Sequence, residues 1–128
     1  MVVADLDEAG GRDVVEEIEA ADGEATFHRV DVGDPAQVAA MVESTVETYG
    51  SLDVAHNNAG FTVDRQPLDE VEPEYWDQVQ DVYLKGVWAG LKYEIPAMLA
   101  SGGGAVVNTA SGSGLEGEAG LSFYAAAK

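Results

Sequence analysis

Cysteine is missing from all 128 residues, which removes disulfides and thiolate metal sites and fits a reducing compartment. Basic residues are scarce: 6 Lys and Arg stand against 24 Asp and Glu, for a formal net charge of −18. A surface this acidic repels phosphate backbones and anionic lipids, so neither nucleic acid nor membrane is an expected partner. No apolar run approaches the roughly 18 residues of a membrane span. Met1–Asp5 has neither the basic start nor the apolar centre of a signal peptide, and the expected compartment is the cytoplasm.

The acids are spread over Asp7–Glu24, Asp31–Glu47 and Asp64–Asp81 and form no tail. They read as an evenly acidic surface on a folded protein. Adaptation to high salt is one explanation, since repulsion is screened within about 3 Å at molar ionic strength. An ordinary acidic protein is the other.

With 46% hydrophobic residues, this length supports one core and one domain. Met1–Asp5 reads as a strand, and Val14, Val15 and Ile18 give Glu8–Ala21 a helical apolar face. Asp22-Gly23 breaks it before a second strand, Ala25–Val30. Asp34-Pro35 starts a helix whose stripe (Val38, Met41, Val42, Val46) runs to Gly50. Leu52–His56 is a third strand leading into Asn57-Asn58-Ala59-Gly60. After a loop with Pro67 and Pro73, apolar residues from Trp76 to Met98 recur at helical spacing, and Pro96 is expected to kink or end that helix. Ala105–Thr109 is a fourth strand, then a glycine-rich loop and a helix from about Ser122. Strands alternating with helices predict an α/β fold with a doubly wound parallel sheet.

Tyr124 and Lys128 lie four residues apart, on one helical face about 6 Å apart along the axis. A positive charge beside a phenol favours phenolate and suits acid-base chemistry, although this spacing alone is commonplace. Ser111 follows the fourth strand and Asn57–Gly60 the third, and ligands of open parallel sheets sit outside the carboxyl ends of strands. Together with Asp5 ending one strand and Asp31-Val32 ending the next, these motifs resemble the classical short-chain dehydrogenase/reductase family over essentially the whole chain.

The resemblance implies a Rossmann-type fold and an oxidoreductase moving hydride between NAD(H) and a small alcohol or carbonyl substrate. Tyr124 would exchange the proton, Ser111 would hold the reacting oxygen, and Lys128 would support the phenol and bind the nicotinamide ribose. Asp5 would accept hydrogen bonds from the adenosine ribose and repel a 2′-phosphate, favouring NAD over NADP; a strand-ending carboxylate that merely caps a turn is the simpler alternative. Asp31 and Val32 would contact the adenine, and Asn58, Ala59 and Gly60 would lie along the cofactor. A homo-oligomer is implied for the parent protein. A non-catalytic dinucleotide-binding or regulatory relative is the alternative class, and a sugar-nucleotide epimerase or dehydratase a third.

Three features depart from the family. Its glycine-rich phosphate loop belongs about 20 residues before Asp5, so residues 1–128 are expected to be a partial NAD(P)-binding domain, lacking the first strand and the C-terminal strands. The two strands that flank the missing one would pair directly, distort, or stay as open edges. The last helix is short, and helices under about 12 residues are marginal alone; this chain by itself is expected to turn over no substrate and bind NAD weakly or not at all. Tyr83 stands where the family has an asparagine that supports a proton relay; on the relay account Tyr83→Asn in the whole protein is expected to leave activity equal or higher, and a collapse would point to a structural role. Elsewhere, His28 and His56 read as packed or surface residues, Trp76, Trp88 and Met98 as core by default, with a subunit interface as the alternative the resemblance implies, and Gly102–Gly104 as a turn.

Overall fold

The computed structural model describes residues 1–128. Its elements are β1 (Val2–Asp5), α1 (Glu8–Ala20), β2 (Thr26–Arg29), α2 (Pro35–Tyr49), β3 (Val54–Asn57), α3 (Pro73–Gln80), α4 (Gly86–Ala100), β4 (Ala105–Asn108) and α5 (Ser122–Ala127). No helix is long and apolar enough to cross a membrane. Local chemistry explains the boundaries. The carboxylates of Asp7 and Asp34 accept the N–H groups of Ala9 and Ala36 and so cap α1 and α2, with Pro35 opening the latter. Gly50 closes α2 at φ 82°, a left-handed conformation that suits glycine. Gly102 and Gly103, at φ 106° and 115°, make the turn expected between α4 and β4.

α3 runs into α4 through a π-helical turn, Asp81–Lys85, so the long helix is one path with a widened middle. Pro96 does not end it. Helical structure continues to Ala100, although proline leaves one carbonyl of the preceding turn without its N–H partner.

β1 pairs in parallel with β2, Val2 opposite Thr26 through Asp5 opposite Arg29. β3 pairs in parallel with β4, Val54 opposite Ala105 through Asn57 opposite Asn108. The two ribbons do not join. Of the three outcomes considered for β1 and β3, open edges prevail: the strands face each other across a slot of about 690 Å³, lined from one side by Val2 and Ala4 and from the other by Val54 and Ala55.

Two-stranded ribbons are marginal alone in water, and here helices cover them. Val30, Val38 and Ala89 form one buried cluster where α2 meets α4, with Tyr93 and Met41 at its margin. Val79, Tyr83, Phe123 and Ala127 form the other, which seats α5 on α3 and the π turn. Met98 is buried as expected, but Trp76 and Trp88 are 43% and 51% exposed. The inward side of α4 is filled by Gly86, Ala89, Gly90, Glu94 and Met98. That leaves Trp88 outside, under the Lys92 ammonium 4.9 Å from its ring.

Candidate active site

The carboxyl ends of β1, β3 and β4 carry most of the residues singled out in the sequence. Asp5, at the end of β1, accepts the Asp7 N–H on Oδ1 at 2.9 Å. The carboxylate caps a turn, as the simpler alternative held, yet it is exposed and lines the slot. Val32, Asn58 and Ala59 line the same slot. Asp31 stands back from it: its Oδ1 accepts the Gly33 N–H at 2.9 Å, and its own N–H donates to Gln37 Oε1 at 3.0 Å.

Pairing of β3 with β4 sets the next layer. Because Asn57 lies opposite Asn108, its side chain reaches both Asn108 Oδ1 at 3.0 Å and Glu94 Oε2 at 3.1 Å, donating to each from Nδ2. Glu94 is only 3% exposed. Burial pushes its carboxyl above the usual glutamate value, and the Asn57 hydrogen bond offsets part of that rise.

One residue further, Thr109 Oγ1 donates to Asn58 Oδ1 at 2.7 Å and lies 2.9 Å from His56 Nε2. A hydroxyl has a single proton, so the histidine nitrogen must be the donor there. His56 is thus a surface residue engaged with β4. The Thr109 carbonyl accepts Lys128 Nζ at 2.7 Å.

Lys128 therefore sits at the end of β4. Its ammonium is 4.9 Å from the Tyr83 ring centre and 6.0 Å from that of Tyr124, within the range of cation–π attraction. Partial burial lowers its pKa from the usual lysine value. The helix α5 places Tyr124 one turn before it, packed edge-on against Tyr83 at 4.9 Å and 85°. Ser111 Oγ accepts the Ser113 N–H at 3.2 Å, capping the short turn Gly112–Gly114. That turn touches the end of α5 so closely that a Cβ on Gly114 would come 2.7 Å from the Lys128 carbonyl.

The predicted residues thus fall into two adjoining groups. Asp5, Val32, Asn58 and Ala59 form the slot; Lys128 and Tyr124 gather at the end of β4, with the Ser111 loop against them. Gly60 lies between the groups, against the Tyr83 ring: a Cβ there would meet Cε1 at 2.6 Å. Thr109 joins them and escaped the sequence reading, because its role depends on which strand β4 pairs with. Glu94 escaped as well. Its one signal was an acid on an otherwise apolar helical stripe, in register with Val87, Leu91 and Met98.

Parallel strand–helix units with a tyrosine-lysine pair at the strand ends define a Rossmann-type α/β protein. A family model described as short chain dehydrogenase matches residues 1–128, and the chain belongs to that family. It is 42% identical over 128 residues to a cyclohexanol dehydrogenase of Acinetobacter sp. (strain SE19), covering all of this chain and 51% of the relative. A cis-4-hydroxycyclohexanecarboxylate dehydrogenase of Sinomonas cyclohexanicum is 38% identical over 128 residues, with 100% and 51% covered. A crystal structure of a metagenomic short-chain oxidoreductase in complex with NADP matches at TM-score 0.93 and 34% identity, covering 99% of this chain and 57% of that one. The chain spans about half the length of the curated relatives it matches.

Proposed function

We propose that the whole protein is an oxidoreductase transferring hydride between NAD(H) and a small alcohol or carbonyl substrate. The observation that carries this reading is Lys128, its ammonium held by the Thr109 carbonyl against the faces of Tyr83 and Tyr124, one helical turn from the Tyr124 phenol. Tyr124 exchanges the proton of the reacting oxygen, Ser111 holds that oxygen by hydrogen bond, and the Lys128 ammonium stabilises negative charge developing on the phenol oxygen. The nicotinamide, when bound, supplies or accepts the hydride.

The mouth of the slot at the carboxyl ends of the strands, where Asp5, Val32 and Ala59 lie, suits the adenosine end of such a cofactor. Asp5 offers an exposed carboxylate acceptor at its rim, while Val32 and Ala59 supply apolar wall. A carboxylate there accepts hydrogen bonds from ribose hydroxyls and repels a 2′-phosphate, which supports NAD over NADP. In the whole protein the first strand would fill the body of the slot between the unpaired parallel edges of β1 and β3, leaving the mouth beside Asp5 to the cofactor. A cyclohexane-type secondary alcohol is the substrate class supported by the names of two relatives.

We also propose that the whole protein is a cytoplasmic homo-oligomer. An exposed apolar row along the long helix, Leu84, Trp88, Ile95 and Leu99, supports the assembly. The test is reduction of NAD by the whole protein with cyclohexanol, followed at the absorbance of NADH. Turnover is expected, and Tyr124→Phe should lower kcat by on the order of a hundredfold or more. A Tyr124→Phe protein as active as the wild type would defeat the assignment.

A further inference from the structure

We propose that Tyr83 is a positioning residue: its hydroxyl pins the backbone at Phe61 and its ring seats the Lys128 ammonium, so it fixes the site and relays no proton through it. Its catalytic consequence rests on the oxidoreductase reading. Its structural consequence rests on the contacts alone.

A phenol brings one proton to donate and an oxygen to accept with. In Tyr83 both capacities are spent on one residue: the Phe61 N–H donates to the hydroxyl at 2.7 Å, and the hydroxyl donates to the Phe61 carbonyl. A relay must pass its proton onward, and this proton is committed to a carbonyl. Tyr83 is also 6% exposed, which keeps water away from the ring. Burial, the main cause, raises its pKa above the usual tyrosine value and holds the hydroxyl protonated.

The ring has separate work. Phe61 stacks obliquely on it at 5.4 Å, Tyr124 meets it edge-on, and Lys128 Nζ lies over it at 4.9 Å. Gly60 leaves room for the approach, since even a methyl there would press on Cε1 at 2.6 Å. Tyr83 is the central residue of the π-helical turn Asp81–Lys85. Such a turn inserts an extra residue into the helix and re-aims side chains. An asparagine at this position has no ring to offer the ammonium, and its amide ends well short of a phenol oxygen. The geometry therefore favours the structural role, in which Tyr83→Asn loses activity.

The test has two arms. In the first, nuclear magnetic resonance on the whole protein follows hydrogen exchange of the Phe61 amide and the titration of the Lys128 side chain. Tyr83→Phe keeps the ring and removes one oxygen: the Phe61 amide should exchange roughly tenfold faster or more, with the Lys128 midpoint unmoved. Tyr83→Leu removes the ring face: the Lys128 midpoint should fall by about half a pH unit. Unchanged Phe61 exchange in Tyr83→Phe, or an unmoved Lys128 midpoint in Tyr83→Leu, overturns the proposal.

The second arm uses the whole protein with NAD and cyclohexanol. Tyr83→Asn should lose roughly tenfold or more in kcat, and activity equal to or above wild type overturns the positioning role. A wild-type protein that turns over nothing defeats the oxidoreductase reading instead, while the first arm still decides the clamp.

Discussion

Asn57 Nδ2 donates to Glu94 Oε2 at 3.1 Å, tying the end of β3 to a carboxyl almost sealed inside α4. Gly90 allows the approach, because a Cβ there would lie 2.6 Å from Asn57 Oδ1. Burial raises the folded pKa of Glu94 above its ordinary 4.5, so the unfolded chain ionises at lower pH than the folded one. The sign follows: stability from this group is fully present below about pH 4.5 and is lost as pH rises through the raised folded value.

Glu94→Gln keeps an acceptor for Asn57 and removes the ionisation. Its melting temperature should exceed wild type at pH 8 by a few degrees, the shift that about 1 kcal/mol produces, and the gap should close near pH 4. Parallel melting curves across pH for the two proteins would show that Glu94 is not the titrating group.

Gly11 is the contact point between α1 and the first ribbon, with a Cβ there placed 2.1 Å from Phe27 Cε2. Gly11→Ala gains helix propensity of about 1 kcal/mol but overpacks at about 1–3 kcal/mol. Net destabilisation is expected in urea unfolding, and the second substitution Phe27→Leu should recover part of it. A more stable Gly11→Ala protein would mean that Phe27 moves aside freely.

Asp5 ends β1 beside the slot with an exposed carboxylate. If it reads the ribose, Asp5→Ser in the whole protein should weaken NAD binding by roughly tenfold and improve NADP binding relative to NAD, since a hydrogen bond to a charged group is worth about 1.5–3 kcal/mol. Calorimetry with each dinucleotide checks this. An unchanged ratio of the two affinities leaves Asp5 with its turn-capping bond alone.

Only three ion pairs form, Arg12–Glu8, Arg65–Glu118 and Lys85–Asp81, all with substantially exposed side chains. With 24 Asp and Glu and a net charge of −18, most carboxylates have no ion-pair partner. Raising KCl from 0.1 to 1 M shortens the screening length from about 10 to about 3 Å, and the melting temperature should climb by several degrees. A flat or falling curve would count against adaptation to salt.

Much of the architecture was legible because it is local. Asp34-Pro35 and Gly50 bracket α2 through a side-chain cap, a fixed proline φ and a left-handed glycine, all within a turn of the residues concerned. The strands too stand where short apolar runs end in polar turns. The core reading of Trp76 and Trp88 fails because periodicity gives a stripe and not the neighbour that covers it; in α4 the small residues Ala89 and Gly90 are turned inward.

By itself, the sequence determined the order of strands and helices, the acidic surface and the family, since caps, apolar periodicity and the spacing of Ser111, Tyr124 and Lys128 are properties of neighbours along the chain. Only the tertiary structure decided that β1 and β3 stay apart, that Thr109 links Asn58 to Lys128, and that Tyr83 spends its hydroxyl on Phe61. Those relations depend on strand register and on the direction of side chains from separate elements. Hydrogen-bond partners distant in sequence are chosen only when packing brings them within about 3 Å.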